Sequence, residues 1–270
     1  MDLGKRRGVI TGAGSGIGRA FAVEFGSRGA QLLLVGRRRE ALEETAGLVI
    51  AAGGSASVLA LDVTGTDAPN RIVAAAAENG AIDLLINNAG NVRAGHLDDI
   101  EEADIHSMID LNLTAPILLT RAALPSLRTA GKEHGSIVLN ISSGIALVGL
   151  PFYTVYAATK SGLAHFGEAL RREVHGSGIH VATLYPGATA TPMMDSSEAG
   201  EDLGFGRRNV KDVIDDALVQ LGADEYEINT ALASRRELQE LNITDPRAVD
   251  AALAPRLEAL GAAVRNHRSI

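Results

Sequence analysis

The stretch Gly8-Val-Ile-Thr-Gly-Ala-Gly-Ser-Gly-Ile-Gly18 contains the strongest fold information in this 270-residue chain. A short apolar run, Gly8–Thr11, leads into alternate glycines, and helical periodicity follows over Arg19–Gly29. This order predicts a strand, a tight glycine-rich turn and a helix. Glycines in such a turn allow backbone N–H groups to approach a pyrophosphate at the helix N-terminus. The stretch therefore predicts the first unit of a dinucleotide-binding fold.

Strands and helices alternate from this unit onward, and the strands are apolar on both faces. That pattern is typical of a parallel sheet covered by helices on both sides. We therefore predict an α/β fold, a doubly wound parallel sheet of Rossmann type, in a single domain spanning residues 1–270. The further predicted strands are Gln31–Val35, Ser57–Leu61, Ile82–Ile86, Ser136–Ile141 and Ile179–Leu184. The predicted helices are Arg39–Ala52, Asp67–Asn79, Asp98–Leu127, in which Pro116 and Pro125 should cause a bend or an end, and one from Tyr156 to about His175.

The C-terminal third has a different pattern. Residues 191–210 are polar and glycine-rich, and we expect them to form a substrate loop that closes as a lid. Residues 211–270 predict a helical extension with a short edge strand at Tyr226–Ile228. The pair Asp245-Pro246 predicts the start of a last helix that runs to about Val264, after an earlier helix at Val210–Leu221.

The composition excludes several classes of protein. Hydrophobic residues make up 46% of the chain, and the net charge of −8 argues against a nucleic-acid partner or an anionic membrane surface. There is no cysteine, and the seven histidines show no ligand spacing, so we expect no metal site. We expect no signal peptide, and the sequence contains no apolar run of membrane-spanning length. We expect a soluble, cytoplasmic protein.

Tyr156 and Lys160 stand at positions i and i+4, and therefore on one face of a predicted helix. A free phenol titrates near ~10, and an ammonium one turn away lowers the pKa of that phenol. The pair is suited to acid/base chemistry on a carbonyl or an alcohol. Tyr153 lies one turn earlier but has no lysine at i+4. The motif alone is more typical of a half-buried tyrosine beside a solvated lysine, so its context decides.

That context is an ordered set of motifs between Gly8 and Met193. With them the chain resembles the short-chain dehydrogenase/reductase family, although its glycine spacing differs from the common G-x-G-x-x-G. The resemblance implies hydride transfer between a nicotinamide cofactor and a carbonyl or alcohol. The motifs, in order, are Thr11-Gly12-Ala-Gly14-Ser-Gly16-Ile-Gly18, Asp62-Val63, Asn87-Asn88-Ala89-Gly90, Asn112, Ser143, Tyr156-x-x-x-Lys160 and Pro186-Gly187.

The resemblance implies roles for four catalytic residues. Tyr156 would exchange a proton with the reacting oxygen, and Ser143 would hydrogen-bond that oxygen and stabilise its charge. Lys160 would lower the tyrosine pKa and hold the nicotinamide ribose. Asn112 would anchor a water that links Lys160 to solvent, or it is simply a helix-bending asparagine satisfied by backbone.

The resemblance also implies a cofactor site. In this fold a carboxylate after the second strand is typical of NAD sites and an arginine of NADP sites. Here Arg37 follows that strand, which predicts NADP(H), whereas Arg38 and Arg39 are expected to be solvated. Glu40 leaves NAD(H) open. The implied cofactor-binding residues are Gly12, Gly14, Ser15, Gly16, Ile17 and Gly18 at the turn, Arg37, Asp62 and Val63 at the adenosine end, Asn88, Ala89 and Gly90 along the ribose, and Tyr156, Lys160, Pro186, Gly187, Thr189 and Thr191 near the nicotinamide.

The substrate pocket is predicted from apolar residues after the strands. Val92–His96, Ile145–Phe152 and the loop 191–210, with Met193, Met194 and Phe205, are the candidates to line it, which favours a small apolar carbonyl or alcohol substrate. Arg207 and Arg208 are expected to be solvated, and His165 to lie in the core or at the surface.

Several alternatives remain open at this stage. The same chemistry would serve with NAD(H) or on a 3-oxoacyl carrier-protein substrate, and a dinucleotide-binding regulator without catalysis is a different class. The family resemblance also predicts a homodimer or homotetramer formed through Asp98–Leu127 and the Tyr156 helix.

Overall fold

The computed structural model describes residues 1–78 and 80–269, and these residues form a seven-stranded sheet in which every pairing is parallel. The strand order is β3-β2-β1-β4-β5-β6-β7. It reverses between β1 and β4, and in doubly wound sheets such a reversal opens a crevice at the carboxyl ends of the strands. The strands are β1 Arg7–Thr11, β2 Gln31–Gly36, β3 Ser55–Ala60, β4 Leu84–Asn87, β5 Ser136–Ile141, β6 Ile179–Tyr185 and β7 Glu227–Asn229.

Helices cover both faces of this sheet, which confirms the predicted fold class. They are α1 Gly16–Ser27, α2 Arg39–Ala51, α3 Ala68–Ala77, α4 Glu102–Ile109, α5 Ala115–His134, α6 Thr154–Glu173, α7 Val210–Gly222, α8 Ala233–Thr244, α9 Pro246–Leu253 and α10 Leu257–Val264. Within the described residues no helix is both long and apolar enough to cross a membrane.

Consecutive strand residues enter different cores because their side chains point to opposite faces. In β1, Ile10 packs into a cluster with α1 and α7, where Phe21 and Ile214 are fully buried. Its neighbour Val9 packs into a second cluster with α3, α5 and α6. The apolar character of the strands on both faces, which predicted the parallel sheet, therefore supplies two separate cores.

The predicted helix Asp98–Leu127 is wrong in its details. The structure has a short 3₁₀ turn at Leu97–Asp99, then α4, then a π-helical turn at Asp110–Thr114, then α5. Pro116 lies in the first turn of α5, where its missing N–H is not needed. Pro125 lies inside α5, and the helix nevertheless continues to His134. The regular α-helical pattern is therefore interrupted at the π turn, which ends directly before the turn that contains Pro116, and it is not interrupted at Pro125.

The C-terminal part also differs from the prediction. The last helix is two helices, α9 and α10, separated by a 3₁₀ turn at Ala254–Arg256 that contains Pro255. Helix α8 was not predicted, whereas the short edge strand is present as β7. Asn79, the predicted end of the third helix, and Ile270, the predicted end of the extension, lie outside the described residues.

Candidate active site

A cleft of about 1110 Å³ opens along the carboxyl ends of the strands. It extends from the turn between β1 and α1, past the end of β5 and the start of α6, to the segments after β6. One crevice thus collects most of the residues that the motifs singled out. Gly18 and Asn112 are the two predicted site residues that do not line it.

The glycine turn is held in a conformation that requires glycine. Gly12 and Gly16 have positive φ values of 65° and 53°. A Cβ atom on Gly18 would lie 2.4 Å from Asn88 Nδ2 and 2.5 Å from the Gly12 carbonyl oxygen. Gly18 therefore allows helix α1 to pack against the turn, and it does not face the cleft.

The start of helix α1 fits a pyrophosphate. Its N-cap residue, Ser15, makes no side-chain capping hydrogen bond, so the first N–H groups of the helix keep their capacity to bind an anion. Gly14, Ser15, Gly16 and Ile17 line the cleft at this point. The helix N-terminus and the side-chain-free turn together match the shape and charge of a dinucleotide phosphate.

Asn88 stabilises the glycine turn through hydrogen bonds. Its backbone N–H donates to Thr11 Oγ1 at 3.0 Å, and its side-chain Nδ2 donates to the Thr11 and Gly12 carbonyl oxygens at 2.9 Å and 3.2 Å. The amide of Asn88 is therefore engaged with backbone, while Asn88, Ala89 and Gly90 form the cleft wall. Asn88 shapes the cofactor site by holding its glycines in place.

Two arginines, not one, lie at the adenosine end of the cleft. Arg37 and Arg38 are both exposed and line it, and Arg38 Nη2 donates to Ser15 Oγ at 3.3 Å. Arg38 was expected to be solvated, and its place beside Ser15 makes it a cofactor candidate that the sequence analysis missed. Arg39 instead pairs with Glu43 at 3.6 Å, and neither Arg39 nor Glu40 lines the cleft.

Asp62 follows β3 and is partly committed to its own turn. Its carboxylate accepts hydrogen bonds from the Thr64 N–H at 3.0 Å and the Thr64 hydroxyl at 2.7 Å. These hydrogen bonds, with a smaller contribution from the nearby Arg37, lower the pKa of Asp62. Asp62 and Val63 line the cleft as predicted, and Asp62 also fixes the turn it stands in.

Ser143, Tyr156 and Lys160 converge where β5 meets α6. Ser143 caps the 3₁₀ turn that follows β5, where its Oγ accepts from the Ile145 N–H at 3.3 Å, and its hydroxyl acts on Tyr156 to lower the pKa of that phenol. The ammonium Nζ of Lys160 lies 5.8 Å from the centroid of the Tyr156 ring and donates to the Ile141 carbonyl at 2.9 Å. The adjacent Ser142 hydroxyl is buried and donates to the Lys160 carbonyl at 2.8 Å. Ser143 is thus the serine whose hydroxyl meets Tyr156.

The pKa of Tyr156 is shifted opposite to the expected direction. Burial raises the pKa of Tyr156 to about 12, and the hydrogen bond with Ser143 offsets only part of that rise. Burial also lowers the pKa of Lys160 to about 8. The expected lowering of the tyrosine pKa by the lysine is therefore wrong for the chain alone, because both groups lose hydration that favours their charged forms.

Asn112 is completely buried in the π turn. Its Oδ1 accepts from the Asn91 N–H at 2.9 Å, while its Nδ2 donates to the Asn91 carbonyl at 2.9 Å and to Thr159 Oγ1 at 3.2 Å. A Cβ on Gly90 would lie 3.0 Å from Asn112 Oδ1 and 3.3 Å from Lys160 Nζ. The side chain of Asn112 therefore fixes the Gly90–Asn91 segment beside Lys160, and the water relay stays a prediction.

The segment after β6 closes the opposite wall. Pro186, Gly187, Thr189 and Thr191 all line the cleft, and the Thr189 hydroxyl donates to the Gly187 carbonyl at 2.9 Å. The Thr191 methyl group is 3.1 Å from the position of a Cβ on Gly16. This segment thus packs directly against the glycine turn, and its place near the nicotinamide stays a prediction.

The substrate side depends on residues that the sequence analysis missed. The buried Tyr153 hydroxyl hydrogen-bonds with His267 Nδ1 at 2.8 Å, and His267 Nε2 donates to the Met193 carbonyl at 3.0 Å. The Ala94 N–H donates to the His267 carbonyl at 3.0 Å. The C-terminal segment 267–269 lines the cleft and pairs with the strand-like segment 92–94. Only tertiary contacts reveal this, since no local motif marks the segment.

The predicted pocket segments line the cleft in part. Val92, Ile145, Leu150, Met193, Met194 and Phe205 do so, whereas His96 and Phe152 pack against each other with ring centroids 4.9 Å apart. The loop 191–210 contains two short 3₁₀ turns, and Glu198 N–H donates to the Ala263 carbonyl of α10. The lid motion of this loop stays a prediction.

The polar residues near the pocket agree with the expectation except for Arg208. Arg208 is not solvated, because it pairs with Asp216 at 2.7 Å and donates to the Thr230 carbonyl at 2.8 Å. Arg207 is exposed and donates to the Ser197 carbonyl at 2.7 Å, and Arg235 of α8 lines the cleft on this side, as do Arg93 and Arg268. His165 is a surface residue with 83% of its side chain exposed. No cluster of potential metal ligands occurs among residues 1–78 and 80–269.

Comparison with known proteins agrees with this geometry. A family model described as short chain dehydrogenase matches residues 7–202. A short chain dehydrogenase of Pseudocercospora fijiensis is 37% identical over 195 residues, which cover 71% of this chain and 62% of that protein. The matched part thus spans less than two thirds of that relative.

Solved structures share the fold. A short-chain dehydrogenase from Sphingobium yanoikuyae in complex with NADPH has 28% identity and a TM-score of 0.76, with 89% of this chain and 94% of that chain covered. A 3-ketoacyl-(acyl-carrier-protein) reductase from Brucella melitensis complexed with NADH has 25% identity and a TM-score of 0.76, with 85% and 98% covered. The motif resemblance is thereby confirmed, and the chain belongs to the short-chain dehydrogenase/reductase family of oxidoreductases.

Proposed function

We propose that this chain transfers a hydride between NADP(H) and a carbonyl or secondary alcohol of a small, mainly apolar substrate, with Tyr156 as the acid/base. The observation that carries the proposal is the convergence of Ser143, Tyr156 and Lys160 in the same cleft as the glycine turn. A regulator that only binds a dinucleotide has no need of a proton donor at this place.

The chain's residues supply the proton and the charge stabilisation. The bound cofactor supplies or accepts the hydride at the substrate carbon. Tyr156 gives its phenolic proton to the carbonyl oxygen, or takes it back in the oxidative direction. Ser143 hydrogen-bonds the same oxygen while negative charge develops on it. Lys160 uses one N–H on the Ile141 carbonyl, so its other two can stabilise the phenolate side and a ribose hydroxyl.

The protonation state of Tyr156 favours reduction near neutral pH. With a pKa of about 12, the phenol carries its proton and is ready to donate it. Oxidation requires the phenolate first, and this form becomes more populated as the pH rises.

The two arginines after β2 support NADP(H) over NAD(H). Arg37 and Arg38 place positive charge and planar donors at the adenosine end, where a 2′-phosphate would form bidentate hydrogen bonds. Asp62 is the nearest acidic candidate that lines the cleft, and Thr64 already engages its carboxylate. One solved relative is in complex with NADPH and another with NADH. The proposed preference for NADP(H) is therefore based on Arg37 and Arg38 alone.

We propose a homodimer or homotetramer as the assembly. Ile109 and Leu118 are 37% and 40% exposed on α4 and α5, the helices expected to meet a second copy. Sedimentation of the purified chain gives its oligomeric state directly.

The decisive test is a panel of ketones, aldehydes and secondary alcohols, each assayed with NADPH and with NADH by the absorbance of the reduced nicotinamide. We expect turnover of apolar carbonyls and a higher kcat/KM with NADPH. The Arg37→Ala variant should lose about 10- to 100-fold of kcat/KM for NADPH with little change for NADH, as expected for one charge-assisted contact. Arg39→Ala is the matched control.

Two results would contradict the proposal. A preference for NADH that Arg37→Ala does not alter would remove the cofactor assignment. Tight NADPH binding with no turnover of any carbonyl or alcohol would favour the regulator instead.

A further inference from the structure

We propose that Arg235 recognises a carboxylate at the far end of the substrate, so that the preferred substrates are oxo acids whose carbonyl and acid groups are separated by an apolar segment. This inference rests on the proposed function and adds a substrate class to it. It replaces a purely apolar substrate by one with a single charged end.

Aromatic rings connect the reacting group to Arg235. Tyr153 lies 6.4 Å from Tyr156 between ring centroids, and Phe205 stacks on Tyr153 at 5.8 Å. The guanidinium carbon of Arg235 lies 5.4 Å from the Phe205 centroid. All four side chains line the cleft. A substrate with its carbonyl at Tyr156 would therefore extend along apolar rings towards a cation.

The charge of Arg235 is not neutralised by any carboxylate of the described residues. Burial lowers the pKa of Arg235, and the only group that acts against burial is Tyr153. Its guanidinium donates to the Gly204 carbonyl at 2.5 Å, which leaves most of its five N–H donors for a ligand. A half-buried cation without a counter-ion is costly, and an anionic ligand would remove that cost.

Three other arginines on this side of the cleft each contact a carboxylate, which Arg93 and Arg268 share, whereas Arg235 contacts none among the described residues. Arg93 and Arg268 both contact Asp104, at 3.7 Å and 3.1 Å. Arg208 contacts Asp216 and does not line the cleft. Arg235 thus combines access to the pocket with unmatched charge, and a carboxylate suits the planar guanidinium because it accepts two parallel hydrogen bonds.

The test compares straight-chain oxo acids of increasing length with their methyl esters, which have the same carbonyl and chain but no charge. We expect the acid of best length to exceed its ester in kcat/KM by about 10- to 100-fold, the range of one charge-assisted hydrogen-bonded pair, with most of the difference in KM. Arg235→Met should bring the acid/ester ratio close to one, and Arg235→Lys should restore part of it. Arg236→Met, an exposed neighbour that does not line the cleft, should leave the ratio as it is.

The outcomes separate this inference from the proposed function. Turnover of esters and acids at equal rates, or equal losses for both in Arg235→Met, would overturn the role of Arg235 while leaving the oxidoreductase intact. If no carbonyl is turned over, the proposed function fails, and calorimetric titration of the NADPH-loaded chain with the oxo acids then decides. Equal affinities for wild type and Arg235→Met in that titration would overturn the inference.

Discussion

The cofactor side and the substrate side of the cleft are built in different ways. On the cofactor side several site residues follow directly after a strand, so the sheet brings Gly12, Asn88 and Pro186 together. On the substrate side the contacts join distant parts of the chain, such as Tyr153 with His267 and Val92 with Ser269. Changes to the first side should therefore abolish binding or chemistry, and changes to the second should adjust substrate affinity.

Removal of the Tyr156 hydroxyl should have the largest effect. Tyr156→Phe keeps the ring but loses the proton donor, so we expect kcat to fall by about 10²- to 10⁴-fold, the usual contribution of a general acid. NADPH affinity should stay measurable, because the glycine turn and the arginines are untouched. Single-turnover kinetics and NADPH fluorescence titration measure the two quantities.

Tyr153→Phe is the matched control for that prediction. It removes the hydroxyl that bonds with His267 and leaves the proton donor in place. We expect a rise in KM with a much smaller loss of kcat. Equal losses of kcat in the two variants would contradict the assignment of Tyr156.

A methyl group at Gly18 should disrupt the cofactor side without directly altering the catalytic residues. The new Cβ would lie 2.4 Å from Asn88 Nδ2, so Asn88 must release the carbonyls that it holds. We expect Gly18→Ala to lower the free energy of unfolding by about 1–3 kcal/mol, as for other overpacked sites, and to weaken NADPH binding. Urea denaturation and NADPH titration measure both effects.

Gly47 provides the opposite case within helix α2. A Cβ at Gly47 meets no atom within 4 Å, and alanine is the better helix former. Gly47→Ala should therefore raise the free energy of unfolding by about 0.5–1 kcal/mol and leave NADPH affinity unchanged. A Gly18→Ala variant as stable as Gly47→Ala would show that the close approach to Asn88 is not needed.

The same contrast explains what the sequence could predict. The strands, their parallel order and the cofactor residues follow from apolar runs and from residues at strand ends, and these are local features. Pro125 was expected to bend or end the helix, whereas α5 continues through it to His134. Arg235 and His267 carry no local motif, since their positions depend on how α8 and the C-terminal segment pack against segments 95 and 114 residues earlier in the chain. The pKa of Tyr156 was misjudged because burial is a tertiary property.

The last prediction concerns His267 and the pH dependence of stability. Burial lowers the pKa of His267, and Arg207 adds to this lowering, while the hydrogen bond to the Met193 carbonyl opposes it. As pH falls, the unfolded chain therefore binds the proton before the folded chain does. The stability that neutral His267 contributes is complete above its unfolded pKa of about 6.5 and is lost as pH falls through the lower folded value.

His267→Gln should consequently differ from wild type in a pH-dependent way. We expect the variant to be less stable at pH 8, by about 1–3 kcal/mol for the unpartnered Tyr153 hydroxyl, and the difference should narrow towards pH 5. Urea denaturation across this pH range measures it, with the exposed His175→Gln as control. A difference that stays constant with pH would mean that His267 acts through its shape alone. The expected result is that the stability difference between wild type and His267→Gln narrows as the pH falls, while the KM of the wild type rises. This result would show that the C-terminal segment supports the substrate side only while the His267 imidazole is neutral.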